Sequence, residues 1–249
     1  MNPEAYELMA AHEHAHWWFV GRRAVINALL DRVPLDGRAK ILEAGCGTGG
    51  NLYMLQRRGD VFAFDPSEQG RAWARARFPD TPVVDGALPE RLPFPADSFD
   101  LVVALDVLEH VRDDAAALRS LVAQAKPGGW VIVTVPAHPV LWGSHDRRLH
   151  HIRRYRPSEL RRICAASGAD LEYFTAFNTI LSPIAIVLRL AERLSRHDLG
   201  NQERMPPTLI NAVLAWFFSL ERHLVRRVPI PFGLSLAAVL RRNPGKQQE

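Results

Sequence analysis

The sequence predicts an α/β fold: a doubly wound, mostly parallel sheet of seven strands, with helices before it and a helical insertion ahead of its last strand. Three observations predict it. Short continuous Val/Ile/Leu runs recur through the middle of the chain, as in "AKILEA" (39–44), "FDLVVALD" (99–106) and "WVIVTV" (130–135). Segments of helical period separate them, the pattern of a parallel sheet covered on both faces. A glycine-rich turn follows the first run at once, in "ILEAGCGTGG" (41–50).

Residues 3–33 read as two helices around the aromatic cluster "HWWF" (16–19). After the strand 39–44 and its glycine turn, a helix is expected from about Gly50 to Arg58. "DVFAFD" (60–65) is the second strand, and "SEQGRAWARARF" (67–78) a helix with Ser67 as its N-cap. "TPVVD" (81–85) is the third strand. The fourth (99–106) and fifth (130–135) are separated by a helix over 113–125 that stops at "KPGG". A helix over 157–168 and a sixth strand over 169–177 follow. Residues 179–228 read as two or three apolar-faced helices broken at "RMPP" (204–207), and 232–242 has the strand character to close the sheet. The expected organisation is one domain over 1–249: an N-terminal helical lid (1–38), a cofactor-binding core (39–178), a helical insertion (179–230), and the last strand and tail (231–249). Ligands of such sheets bind beyond the carboxyl ends of the strands, near the switch point. That rule gathers Glu43 to Gly49, Asp65, Asp85 and Asp106 along one edge.

Composition narrows the classes. With 249 residues, 47% of them apolar, the chain can bury a sizeable core. A net charge of +4 is too small to argue for nucleic acid. Two cysteines, Cys46 and Cys164, make neither a disulfide framework nor a metal set and suit a reducing compartment. The N-terminus lacks the pattern of a signal peptide, and no apolar run reaches the ~18 residues of a membrane span. The expected location is the cytoplasm, with the inner face of a membrane still open to peripheral contact.

The glycine loop admits two ligands. Gly45, Gly47 and Gly50 satisfy G-x-G-x-x-G, and Asp65 stands at the spacing of a ribose-binding acid, which suits a nicotinamide dehydrogenase. The acid two positions before the first glycine, in "EAGCGTG", belongs to a loop that faces a methionine-like tail bearing an ammonium. Together with "VVDGALPERLPFPADSFDLVVALDVLEHV" (83–111), the chain resembles the class I S-adenosylmethionine-dependent methyltransferases, in the small-molecule branch that includes quinone-biosynthesis enzymes. The resemblance covers about residues 39 to 135 and implies S-adenosylmethionine as cofactor. It implies that Glu43, Gly45, Cys46, Gly47 and Gly49 back the methionine portion, and that Asp65, with Pro66 beside it, binds the ribose hydroxyls. It implies Asp85 for the adenine amine, Gly86 and Ala87 along the ring, and Leu105 and Asp106 beside the methionine moiety.

The resemblance does not reach the acceptor. The connection after the fifth strand, "VPAHPVLWGSHDRRLHHIRRYRP" (135–157), is long enough to be functional. It carries His138, His145, Asp146, His150 and His151, and a His beside an Asp can act as an oriented base. His145 and His150 are the candidate bases, with His110 a third; ordinary loop histidines are the alternative. No spacing diagnoses a metal, so none is expected. Seven arginines between 147 and 162 read either as a solvated face or as a site for an anionic acceptor. In "HWWFVGRR" (16–23) the tryptophans suit a lid or the core equally, and Arg22 or Arg23 would meet the cofactor carboxylate.

Residues 182–233 combine apolar faces with arginines. They suit a lipid interface, the roof of an apolar pocket or an oligomer contact, and the oligomeric state is not legible. The function expected is methyl transfer to a small hydrophobic or lipid-like acceptor. The rivals are a cofactor-binding scaffold subunit and an RNA or other nucleic-acid methyltransferase. Nucleic acid is disfavoured because "LDVLEH" stands where amino-methylating relatives carry an Asn/Asp-Pro-Pro-aromatic sequence.

Overall fold

The computed structural model describes residues 3–187 and 205–245. Two helices open the chain, α1 (Pro3–His12) and α2 (Trp17–Leu30). The alternating body follows: β1 (Ala39–Ala44), α3 (Leu52–Gln56), β2 (Gly59–Asp65), α4 (Glu68–Arg77), β3 (Val83–Asp85), β4 (Phe99–Leu105), α5 (Asp114–Gln124) and β5 (Ala125–Pro136). The rest is α6 (Ser144–Arg148), α7 (Pro157–Ala165), β6 (Ala169–Phe177), α8 (Thr208–Val225) and β7 (Ser235–Arg242).

The strands form one seven-stranded sheet in the order β3-β2-β1-β4-β5-β7-β6. Pairs within β1 to β5 are parallel, and β7 is antiparallel to both neighbours. The last strand thus enters between β5 and β6, where both sides of its backbone are hydrogen-bonded, and leaves β6 at the edge. Chain order reverses between β1 and β4, which opens a crevice above their carboxyl ends. Ser67 caps α4 as expected, accepting from the Gly70 N–H. The helix ahead of "KPGG" ends at Gln124, and those four residues are drawn into the start of β5.

Side chains alternate across the sheet. Ile41, Val103 and Ile132 face one core with α2, α3 and α8; Leu42, Val102 and Val133 face the other with α5 and α7. In α2, Gly21 lets α8 lie close, since a Cβ there would sit 2.4 Å from the Phe218 ring. Two polar devices fix α8. Asn211 accepts from the Trp17 N–H and donates to the Ala15 carbonyl, both at 2.8 Å. Glu221, fully buried, accepts the N–H groups of Asn178, Thr179 and Ile180. The insertion is thereby pinned to the end of β6.

Helical backbone is present at 182–187, whereas 188–204 lie outside the described residues, and with them much of the expected insertion. Among the described residues no helix is long and apolar enough to cross a membrane. Leu209, Val213, Trp216 and Phe217 of α8 nonetheless face outward.

Candidate active site

The glycine turn is built on left-handed backbone: Gly45, Gly47 and Gly49 have φ of 71°, 53° and 86°. Such values strain any residue with a Cβ. The turn is stitched to β2 because the Gly45 and Cys46 N–H groups both donate to the Phe64 carbonyl. Asp65, at the end of β2, accepts the Gly47 N–H on one oxygen and the Ser67 N–H on the other, both at 2.8 Å. Burial raises its pKa in spite of those bonds.

Beneath the turn a polar chain crosses the sheet edge. Glu43 is buried and accepts from Asn51 at 2.8 Å. Burial pushes its carboxyl up to about 7, outweighing the Asn51 hydrogen bond. Arg22 of α2 donates to Asn51 Oδ1 at 3.4 Å and pairs with Asp106 at 2.6 Å. Thr134 Oγ1 donates to the other Asp106 oxygen at 3.0 Å. The N-terminal segment is latched over the turn by Glu13, which accepts from Thr48 Oγ1 at 2.7 Å and pairs with Arg77.

These groups border a cavity of about 1500 Å³. Gly45, Cys46, Gly47, Asp65 and Pro66 line one end, with Ala87, Leu88, Leu105 and Asp106 continuing the wall. Four expected residues are not on the wall. Glu43 acts from behind, through Asn51. Gly49 sits against Leu52 and Phe78, and Gly86 against Pro93 and Phe64, where a Cβ would crowd each. Asp85 is held by Arg71 at 2.7 Å and by Arg91, because α4 and the bridge between Ala87 and Arg91 bring two guanidinium groups to it. The wall on that side is Ala87 to Arg91 instead.

Elsewhere the wall carries the apolar Trp17, Leu149, Leu181, Ile184 and Leu214, together with polar groups that include His145, Arg154 and Asn178. Trp17 and Trp18 line the cavity and also pack on the core beneath it, so lid and core readings describe the same residues. Arg23 lines it as well and donates to the His14 carbonyl.

Of the candidate bases, His145 and His110 reach the wall and His150 does not. A left-handed backbone at His150 (φ 56°) leaves its side chain exposed, while its carbonyl lies 3.3 Å from His110 Nδ1. The next residue takes the inward place. His151 Nδ1 is 2.9 Å from Asp146 Oδ1, and its Nε2 is 3.8 Å from Glu109. Asp146, wholly buried, also binds the Gly143 N–H and Arg154 Nε, and is held far below the usual carboxylate range by His151 and Arg154. His110 is pushed down to about 4 by the protein packed around its ring and by the neighbouring His151. Glu109 is raised well above the ordinary glutamate value by burial and by Asp106. Sequence reasoning missed Glu109, which stands in an apolar run, and looked to the adjacent His145 and Asp146, whereas an imidazole hydrogen-bonded to Asp146 in the structure is that of His151.

The arginine-rich stretch is largely committed to the protein. Arg153 pairs with Asp114, Arg154 with Asp146 and Arg156 with Glu159, and Arg161 stacks on Phe174.

A family model described as a methyltransferase domain matches residues 15–173. A Mycolicibacterium smegmatis protein named a probable S-adenosylmethionine-dependent methyltransferase is 32% identical over 162 residues, 63% of this chain and 61% of that protein. The chain thus spans less than two thirds of the length of that relative. A ubiquinone biosynthesis O-methyltransferase of Methylocella silvestris is 35% identical over 176 residues, 64% of this chain and 67% of the relative. Among solved structures, a chain from the complex of the Haloferax volcanii Trm112 methyltransferase activator with a methyltransferase superimposes with a TM-score of 0.63. It has 19% identity and covers 98% of both chains, a likeness of fold.

Proposed function

The chain belongs to the methyltransferase-domain family, and on that premise we propose that it transfers a methyl group from S-adenosylmethionine to a small, apolar acceptor. The observation that carries this reading is the continuity of one cavity from the glycine turn and Asp65 to the apolar side chains of Trp17, Leu149, Leu181, Ile184 and Leu214. Its volume exceeds the roughly 300–1,000 Å³ usual for one small ligand, so cofactor and acceptor fit together.

The cofactor supplies an activated methyl group on a good leaving group. The chain's own task is therefore orientation and exclusion of water, and positioning alone can lower such a barrier by roughly 7–11 kcal/mol at best. The residues fit the cofactor's parts. Backbone without side chains at Gly45 and Gly47 admits the methionine portion closely. Each Asp65 oxygen keeps a lone pair for a ribose hydroxyl beside its backbone bond. Pro66, Ala87 and Leu88 offer a flat apolar wall to the base. Leu105, Asp106, Asn51 and Arg22 surround the methionine end, where Arg22 suits a carboxylate and Asp106 an ammonium. Of the described residues, 3–38 close this end as a lid, 39–178 form the core, and 179–187 with 205–230 roof the acceptor side ahead of the last strand.

The outward apolar face of α8, with Arg222, Arg226 and Arg227 exposed at its end, supports a peripheral contact through which a lipid-like acceptor reaches the cavity.

The test is methyl transfer from labelled S-adenosylmethionine into a cell extract partitioned between organic and aqueous phases. Label in the organic phase is expected. Label confined to water removes the apolar acceptor; no label with cofactor bound removes methyl transfer in favour of a scaffold role.

A further inference from the structure

We infer that Glu109, His110 and His151 form a binding site for one divalent transition-metal ion on the acceptor side of the cavity. One ligand atom from each lies within 4.8 Å of the others, and all three residues line the cavity. Two donors about 2.1 Å from a shared ion stand roughly 3–4 Å apart. The separation of 3.8 Å between His151 Nε2 and Glu109 Oε1 already meets that. His110 supplies the third donor within the same 4.8 Å.

Glu109 is the reason to require a ligand. It is fully buried, and neither carboxylate oxygen has a hydrogen-bond partner. Other buried acids hold the fold together: Glu221 takes three backbone N–H groups, and Glu13 takes Thr48 and Arg77. The Glu109 carboxylate has instead the 3.8 Å approach of His151 Nε2, too long for a hydrogen bond, and an unsatisfied buried carboxyl is costly. A cation at the cavity wall satisfies it.

The histidines are prepared for the same ion. In each, Nδ1 is already occupied, by Asp146 at 2.9 Å for His151 and by the His150 carbonyl at 3.3 Å for His110. Nε2 is then the free ligand atom, and a carboxylate or carbonyl behind a ligating imidazole is the usual outer shell of a metal centre. Asp146 is itself fixed by Gly143 and Arg154, and the Ile152 N–H bonds the Glu109 carbonyl at 2.9 Å, which docks the His151 loop on the Glu109 turn. Two imidazoles and one carboxylate suit zinc, iron or manganese better than magnesium or calcium. Three protein donors leave positions open to the cavity, as in catalytic sites. The sequence hides the set because its ligands come from two loops, after β4 and after β5. On the methyl-transfer reading above, the ion would bind an oxygen of the acceptor and favour its deprotonated form; that role rests on that reading, and the ion site itself does not.

The test uses tag-free full-length protein stripped with chelator and titrated with Co²⁺, followed by visible absorption and calorimetry, without cofactor or acceptor. One equivalent per chain is expected, with a rise in melting temperature on binding. Glu109→Gln should abolish stoichiometric uptake, and Asp146→Asn should weaken it about 10–100-fold. His110→Ala, which trims a side chain that lines the cavity, keeps the test decisive if Glu109→Gln does not fold, and should weaken uptake at least about tenfold. No uptake by the stripped wild type, or equal uptake by the variants, overturns the site. Cobalt binding without any methyl transfer would leave the site standing and remove the functional reading alone.

Discussion

Arg22 of α2 ends 2.6 Å from the Asp106 carboxylate at the end of β4, so the N-terminal helix and the sheet meet across the mouth of the cavity. Arg22 is 5% exposed, and its guanidinium also reaches Asn51, which holds Glu43. Arg22→Ala should cost about 1.5–3 kcal/mol of cofactor affinity, the scale of a charged hydrogen bond. Arg22→Lys should recover only part, because an ammonium cannot span Asp106 and Asn51 as a planar fork does. Calorimetry with S-adenosylhomocysteine measures both. Unchanged affinity in Arg22→Ala would make the pair a fastening of α2 and nothing more.

Asp65 has two duties, and its substitution should show both. Its oxygens hold the Gly47 and Ser67 N–H groups and border the cavity. Asp65→Ala should weaken cofactor binding by more than about 1.5 kcal/mol, beyond any loss in melting temperature. A variant that binds S-adenosylhomocysteine normally would sink the ribose assignment.

How much of this was legible depended on whether a position obeys a period. The strands of 39–44 and 169–177 have the limits that the sequence predicts; for 39–44 the reason is that a parallel strand buried on both faces is a continuous apolar run. The glycine turn was legible because its backbone conformations need glycine. The resemblance implies Asp85 for the adenine amine; its arginine partners come from α4 and from Arg91, pairings that no local pattern encodes. His150 and His151 are adjacent in a loop without period, and the sign of φ at His150 decides which faces inward. Glu109, inside "LDVLEHV", gave no signal beyond a charge among apolar neighbours. Its importance comes from burial without partners.

The raised carboxyl of Glu43 gives a pH dependence with a definite sign. Burial lifts it from 4.5 to about 7, so the folded state holds its proton more tightly than the unfolded chain. That contribution to stability is complete below about pH 4.5 and is lost as pH rises through about 7. The loss is on the order of 3 kcal/mol. Glu43→Gln keeps an acceptor for Asn51 and removes the titration. The difference in urea stability, variant minus wild type, should grow in the variant's favour between pH 4.5 and 7.5. A flat difference would show that Glu43 stays ionised beneath the turn.

His145 and His150 separate a place on the wall from a place in the loop. His145 lines the cavity and lies edge-on to His151, with ring centroids 6.3 Å apart, whereas the His150 side chain is exposed outside it. His145→Ala should leave S-adenosylhomocysteine affinity intact, since the glycine turn and Asp65 are at the other end, and should slow turnover by about a hundredfold if it handles the acceptor's proton. The exposed His150 side chain carries no such duty, so His150→Ala should change neither quantity appreciably. The pair is informative because both substitutions remove an imidazole from the same loop. A general loosening of the loop would slow both variants together, and loss of turnover in His150→Ala alone would show that the loop turns over when the acceptor binds.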